Sequence, residues 1–187
     1  MFFGGIMTKQ FLTFRLDNNQ YAVEVHKVQE VLEYKHITKI PCAAVYVEGL
    51  ISSRDRGISV INLRKKFGLP EIELTKDSRI IVLELTLGTN IDENPDEIHI
   101  FGAIADSVQE VIEIEDTDIE PAPKFGNNIS VNFISGIGKK DGEFIIILNV
   151  DAIFSSDEIL NLEDLVQNPV LLAQMEQSKQ EEESSES

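Results

Sequence analysis

The sequence VQEV occupies residues 28–31 and recurs unchanged at residues 108–111, an offset of 80. Further along, VINL at 60–63 returns as the related ILNV at 147–150, where the offset has grown to 87. Several matches in the same order at two consistent offsets indicate an internal duplication. The change of seven predicts an insertion in the second copy, which we place at residues 124–130.

Glycine and proline positions repeat with the same two offsets. Gly49 and Gly136 are 87 residues apart (136 − 49), and Pro41 and Pro121 are 80 apart (121 − 41). We expect the two glycines in equivalent turns, because glycine adopts a positive φ at little cost. The two copies are therefore predicted to fold in the same way.

Short β-prone segments separated by turn residues fill both copies. Residues 11–16 and 21–25 flank an Asp-Asn-Asn-Gln turn and predict a hairpin. Residues 62–67 predict one helical turn with Asn62 as its N-cap. Strands this short and this closely spaced favour small barrels over a long-stranded sandwich or a βαβ sheet. The predicted fold class is all-β, with short helical turns and a helical segment from Glu158.

The net charge of −17 is unevenly distributed, since residues 1–79 carry +3 and residues 80–187 carry −20. An acidic surface repels phosphate backbones, so we expect no nucleic-acid partner. No apolar run reaches the ~18–20 residues that span a bilayer, so direct membrane insertion is not expected. The single Cys42 cannot form an internal disulfide, which suits a reducing cytoplasm.

The motifs that usually carry catalytic or metal chemistry are incomplete in this sequence. Residues 136–139 read GIGK, but Lys-Asp-Gly follows where a phosphate-binding loop requires Ser or Thr and a helix. The three histidines, at positions 26, 36 and 99, lie far apart and lack a partner at metal-ligand spacing. Carboxylates in residues 106–120 alternate with apolar side chains, as on a solvated strand. We therefore predict a protein without enzyme activity, cofactor or metal.

The block GLISSR at 49–54, followed by SVINLRKKFG at 59–68, resembles the CheW-like family of bacterial chemotaxis coupling proteins. KVQE at 27–30, ADSV at 105–108 and ISGIG at 134–138 are similar to the same family. The resemblance implies two intertwined SH3-like β-barrels. It predicts a CheW-like domain over residues 10–157, made of two repeats at 10–78 and 79–157, with strand exchange between them left open. The short apolar start predicts a flexible N-terminus over residues 1–9. The composition of residues 158–187 predicts an acidic tail that is partly helical and then disordered.

The resemblance also implies a non-enzymatic adaptor. Proteins of this family bridge the cytoplasmic tips of chemoreceptors to the regulatory domain of the histidine kinase CheA, in membrane-associated arrays. Carried over by position, six residues match positions linked to receptor coupling, and the charged pair among them is expected to meet across strands: Val28, Glu30, Gly49, Arg54, Val108 and Gly136. An exposed apolar patch that binds the kinase is predicted from four valines: Val23, Val25, Val28 and Val31.

Several alternatives remain open at this stage. In the family the arginine of this turn is followed by Gly and preceded by Asn-Leu, whereas here Asp55 and Ser52-Ser53 stand there, which puts receptor contacts in question. The sequence does not separate a flagellar coupling protein from an adaptor of another chemosensory pathway, such as pilus motility. A ligand-binding β-barrel is a further alternative. A surface ion pair for Glu30 and Arg54, and a core position for Val28, are the structural alternatives for single residues.

Overall fold

A computed structural model describes residues 5–34, 36–41, 43–86, 97–122 and 132–167, with 177, 180, 181 and 183–185 near the C terminus. Within these ranges the chain forms ten strands and two α-helices. The strands are β1 Thr8–Leu16, β2 Asn19–Glu24, β3 Val28–Glu33, β4 Val47–Ser53, β5 Arg56–Asn62, β6 Arg79–Thr86, β7 Ile98–Ala105, β8 Ser107–Glu115, β9 Ile134–Lys140 and β10 Glu143–Leu148. The helices are α1 Leu63–Lys66 and α2 Ser156–Gln167.

The ten strands form two five-stranded sheets, and each sheet takes strands from both repeats. One sheet has the order β3-β6-β7-β5-β4, and the other has the order β8-β1-β2-β10-β9. Strands β1–β5 belong to the first repeat and β6–β10 to the second. The two orders become identical when each strand is replaced by its counterpart in the other repeat. Each repeat therefore contributes its first two strands to one sheet and its last three to the other.

Each sheet curls until its two end strands meet. In the first sheet the Ser53 hydroxyl on β4 donates to the Glu30 carboxylate on β3 over 2.8 Å. In the second sheet Lys140 Nζ on β9 lies 3.4 Å from Glu110 Oε1 on β8. We call the first sheet barrel I and the second barrel II.

One apolar core fills the interior of each barrel, and a third, larger core draws on both. Strand β6 contributes side chains to two of these cores. Ile80 and Val82 enter the interior of barrel I, while Ile81 and Leu83 enter the shared core. Because both faces of this strand are buried, residues 79–86 read in the sequence as a nearly continuous apolar run.

The insertion that separates the two repeats has two parts. Thr38 and Glu120 make equivalent bridges to β4 and β9, and they lie 82 residues apart (120 − 38). Their partners Leu50 and Ile137 lie 87 apart (137 − 50). Two of the seven extra residues therefore precede Glu120, which corrects the assignment of all seven to residues 124–130. That segment itself lies outside the described residues.

The two ends of the chain differ in detail from the sequence-based boundaries. Strand β1 begins at Thr8, within the segment predicted to be flexible, where it pairs with β8. Helix α2 begins at Ser156, two residues before the predicted helical segment. The described residues of the range 177–185 are helical and exposed, whereas disorder was predicted there. Gln and Glu favour helix locally, even where no core supports it.

Candidate interaction surface

The repeated VQEV motif lies on β3 and β8, the end strands of barrels I and II. Each strand has a β-bulge within the motif, between Val28 and Glu30 on β3 and between Val108 and Val111 on β8. A bulge bends its strand and re-aims the side chains beside it. The duplicated tetrapeptide thus produces the same local distortion at the edge of both barrels.

The four motif valines lie at the margins of the shared core. Val28 and Val108 are half-buried and pack against that core. Val31 and Val111 are 40% and 54% exposed. The motif therefore presents one embedded and one exposed valine at equivalent places in each barrel.

Polar contacts close barrel I beside its motif strand. Glu30 accepts a hydrogen bond from Ser53, and its other carboxylate oxygen lies 3.6 Å from Arg54 Nη2. Arg56 Nη2 donates to Gln29 Oε1 over 3.0 Å. The predicted contact between Glu30 and Arg54 is present. The Arg54 side chain remains 67% exposed, so it can pair with Glu30 and still reach a partner.

The turn that carries Arg54 is tighter than the sequence indicated. Strand β4 ends at Ser53 and β5 begins at Arg56, so only Arg54 and Asp55 form the turn, and Gly57 lies within β5. Their φ angles are 50° and 62°, as in a type I′ hairpin turn. Asp tolerates this left-handed region better than most side chains. Asp55 therefore stands at the position of the family's glycine in a backbone conformation that Asp tolerates.

Gly49 and Gly136 occupy equivalent positions, but within strands β4 and β9 and not in turns, which corrects the expectation. A Cβ on Gly49 would lie 2.1 Å from the Thr38 carbonyl oxygen, and the residue has φ +149°. A Cβ on Gly136 would lie 2.6 Å from Ile119 Cγ2 and 2.9 Å from the Glu120 carbonyl oxygen. Both glycines permit the close approach of a bridging segment to the strand.

Val23 does not belong to an exposed apolar patch. It is fully buried in the shared core, while its neighbour Ala22 faces the interior of barrel II. Alternation along β2 therefore leaves Val23 no access to a partner. Val25 lies in a short 3₁₀ turn after β2 and is half-buried against the shared core. Among the four predicted kinase-binding valines, Val31 is the most exposed.

Metal-ligand groups and membrane-spanning helices are absent from residues 5–34, 36–41, 43–86, 97–122 and 132–167. There, no group of three His, Cys, Asp or Glu side chains is placed to hold a metal ion. The helices in the same part are all too short or too polar to cross a membrane.

Comparison with known proteins agrees with this architecture. The CheW-like domain family matches residues 10–158. The chain belongs to that family. It is 30% identical over 156 residues to the chemotaxis protein CheW of Treponema pallidum, covering 83% of this chain and 88% of that protein. It is also 30% identical over 148 residues to the chemotaxis protein CheW of Helicobacter pylori, covering 79% and 82%.

A solved structure of a CheW protein supports the fold. The crystal structure of the scaffolding protein TtCheW from Thermoanaerobacter tengcongensis matches with a TM-score of 0.68 and 36% identity, covering 81% of this chain and 96% of that chain. The predicted fold class, two intertwined SH3-like barrels arising from a duplication, is confirmed. The predicted family is confirmed as well. This CheW-like protein is a scaffold or adaptor of chemotaxis signalling.

A buried ion pair of this CheW-like chain was not found by sequence reasoning. The Arg64 guanidinium donates to both carboxylate oxygens of Asp106, over 3.0 and 2.6 Å, and to the Pro70 carbonyl over 2.6 Å. Arg64 is only 5% exposed, and its hydrogen bonds to Asp106 raise its pKa. The equivalent position in the second repeat carries the opposite charge, since Asp151 pairs there with Lys27 at 2.9 Å. No local sequence pattern predicts either ion pair, because the two residues of each pair come from different repeats.

Three side chains hold the start of α2 on the barrels. The Glu158 carboxylate accepts hydrogen bonds from Lys66 and from Tyr46, whose hydroxyl is 2.5 Å away. Glu158 also forms a capping box with Ser155, with two reciprocal contacts of 3.2 Å. Burial disfavours the charged carboxylate, but hydrogen bonds from Lys66, Tyr46 and the Ser155 N–H outweigh it and lower the pKa of Glu158 to about 2. The S-x-x-E spacing was the sequence signal that could have revealed this cap.

Stability is expected to depend on pH through Glu158. A carboxyl whose pKa falls from 4.5 to about 2 on folding stabilises the fold fully above pH 4.5, and this stabilisation is lost as pH falls to about 2. Glu158→Gln should lower the melting temperature at pH 7 by about 2–6 °C. The difference from the wild type should narrow between pH 4.5 and 2. The exposed Glu143→Gln variant is the control; an equal narrowing in it would contradict the role of Glu158.

Proposed function

We propose that this protein is a non-enzymatic adaptor that couples the cytoplasmic tips of chemoreceptors to the regulatory domain of the histidine kinase CheA. Its membership of the CheW-like family supports the adaptor class. The proposal rests above all on one observation: the exposed Arg54 stands in a tight turn, 3.6 Å from Glu30 on the edge strand β3, and the same strand carries half-buried Val28. A rigid cation beside apolar surface is a combination that protein partners recognise.

The receptor is proposed to contact the edge formed by β3 and the β4–β5 turn. Glu30 holds one side of the Arg54 guanidinium, and the remaining donors face solvent. Val28 and its counterpart Val108 contribute apolar surface continuous with the shared core. Gly49 and Gly136 act indirectly in this proposal, because they set the backbone positions of β4 and β9.

Arg54→Ala is expected to separate coupling from stability. Because the Arg54 side chain is 67% exposed and lies 3.6 Å from Glu30, loss of the pair should cost under ~1 kcal/mol of stability. Kinase activation in a reconstituted mixture of receptor, CheA and this protein should fall at least about tenfold if a partner contact is lost. Arg54→Lys should restore activity poorly, because an ammonium lacks the bidentate fork.

The matched control is Lys140→Ala, which removes the equivalent edge contact of barrel II at 3.4 Å. We expect it to leave kinase activation near the wild-type level. A fully active Arg54→Ala protein would overturn the proposed receptor contact. Equal losses of kinase activation in both variants would mean that the effect comes from general surface charge.

CheA is proposed to bind apolar surface that includes Val31 on β3. Val31→Asp should weaken CheA binding by about 1–3 kcal/mol, because a partner must then desolvate a carboxylate. Val111→Asp is the matched control, since it places the same charge at the equivalent point of β8. Titration calorimetry with the CheA regulatory domain measures both. If only Val111→Asp weakens binding, the kinase surface lies on barrel II.

A further inference from the structure

The outer face of β5 and β7 in barrel I is covered by helix α2. Ser59 Oγ on β5 donates to the Leu162 carbonyl over 3.2 Å. His99 Nδ1 on β7 contacts the Glu163 carboxylate, and Ile159 enters the shared core together with Leu162. The chain itself thus shows what fits this sheet face: an amphipathic helix with two aliphatic residues three positions apart.

Barrel II has the equivalent face on β2 and β10. The parallel pairing of β10 with β2 reproduces that of β5 with β7. Ile146 lies opposite Tyr21 in barrel II, where Ser59 lies opposite Phe101 in barrel I. The two faces therefore correspond residue by residue.

Within the described residues, no helix of the first repeat covers this face of barrel II as α2 of the second repeat covers the face of barrel I. After α1 the first repeat continues through residues 69–78, which contain no helix. The second repeat continues instead through the capping box at Ser155 into α2. This difference between the two repeats has a local cause, because Gly68 and Pro70 end the helical turn of the first repeat.

The side chains on this face are more apolar than those under α2. Phe144 stands 87 residues after Gly57 (144 − 57) and is 66% exposed. Ile146 takes the place of Ser59 and is half-buried. Lys139 Nζ lies 5.8 Å from the centre of the Phe144 ring, so a cation borders the apolar surface. A large exposed aromatic side chain next to further apolar surface commonly marks a binding site.

We propose that the β2–β10 face of barrel II, centred on Phe144, binds an amphipathic α-helix of a partner protein. Two aliphatic side chains of that helix would cover Phe144 and Ile146, as Ile159 and Leu162 cover the face of barrel I. Acidic residues on the helix would meet Lys139 on β9, whose Nζ lies over the Phe144 ring. This surface is separate from β3 and the Arg54 turn, so it stands independently of the receptor contact.

The test uses the full chain and a peptide of residues 155–167, which carries the aliphatic pattern of α2. An isolated 13-residue peptide is a weak helix in water, so it is cross-linked between positions 157 and 161. Both positions are exposed in α2, so the link leaves the apolar stripe free. On titration with this peptide, amide resonances of β2 and β10 in the ¹⁵N-labelled protein should shift, with Lys139, Phe144 and Ile146 among them.

Phe144→Asp should weaken peptide binding at least about tenfold, because the aromatic anchor is lost. Its melting temperature should stay near that of the wild type, since the replaced side chain is exposed. Lys139→Glu should weaken binding severalfold at low salt. Val45→Asp, at a position that is 81% exposed on barrel I, is the control and should bind like the wild type.

Three results would overturn the proposal: no binding at millimolar peptide, unchanged affinity of Phe144→Asp, or shifts confined to Ser59 and His99. The last would mean that the peptide only displaces α2 from barrel I.

Discussion

Gly49→Ala is expected to destabilise this protein by about 3–5 kcal/mol, measured by denaturant unfolding. The new methyl group would lie 2.1 Å from the Thr38 carbonyl oxygen, which is backbone and cannot rotate away. The residue also has φ +149°, a region that side chains other than glycine rarely adopt. The added volume and the backbone strain act together, so either β4 shifts or the bridge from Thr38 to Leu50 opens.

Substitutions at two other glycines provide comparisons for the stability loss expected of Gly49→Ala. Gly136→Ala should cost less, about 1–3 kcal/mol, because its φ lies outside the left-handed region and the new Cβ would be 2.6 Å from Ile119 Cγ2 and 2.9 Å from the Glu120 carbonyl oxygen, not 2.1 Å from a backbone atom. Gly5→Ala has no atom within 4 Å of the new Cβ and should be nearly neutral. An unfolding free energy of Gly49→Ala equal to that of Gly5→Ala would contradict the close approach of residue 38 to β4.

Arg64→Leu is expected to cost about 3–5 kcal/mol of stability, because it leaves the Asp106 carboxylate partly buried without its cation. Three hydrogen bonds, two to Asp106 and one to the Pro70 carbonyl, disappear with the guanidinium. Arg64→Lys should recover only part of this, because a single ammonium cannot reproduce the fork. The measurement is the same unfolding experiment, at constant ionic strength.

The double variant Arg64→Leu with Asp106→Leu should be more stable than Arg64→Leu alone, because no unpaired charge remains buried. The pair of Lys27 and Asp151 is the internal control. Asp151 is the counterpart of Arg64 (151 − 64 = 87), but the Lys27 and Asp151 side chains are 17% and 33% exposed, so Lys27→Ala should cost clearly less. A double variant less stable than Arg64→Leu would contradict the explanation through desolvated charge.

The duplication, the shortness of the strands and the all-β class were predictable from the sequence, because alternation and turn residues are local signals. The N-cap at Asn62 is one example: its side chain accepts from the Lys65 N–H, as predicted. The family resemblance added the intertwined barrels, and it named Glu30 and Arg54, which the structure brings to 3.6 Å. Family motifs carry such information because they preserve positions that local propensity does not encode.

Whether Val23 is buried and what Gly49 does were decided only by tertiary structure. An apolar residue on a strand can face a core or a partner, and only the packing of the second sheet determines which. The two glycines look like turn residues in the sequence, yet they lie in strands because another segment crosses above them. The face around Phe144, which no described helix covers, likewise becomes visible only when barrel II is compared with the face of barrel I under α2.

By itself, the sequence determined that this chain is two copies of one β-rich unit in the CheW-like family. It could not determine how the copies combine, because strand exchange depends on contacts between residues about 80 positions apart. Pairs such as Arg64 with Asp106 form only after each repeat has contributed its strands to both barrels. Local patterns specify strands and turns, whereas long-range pairing and burial place those elements, and so decide which side chains remain available to a partner.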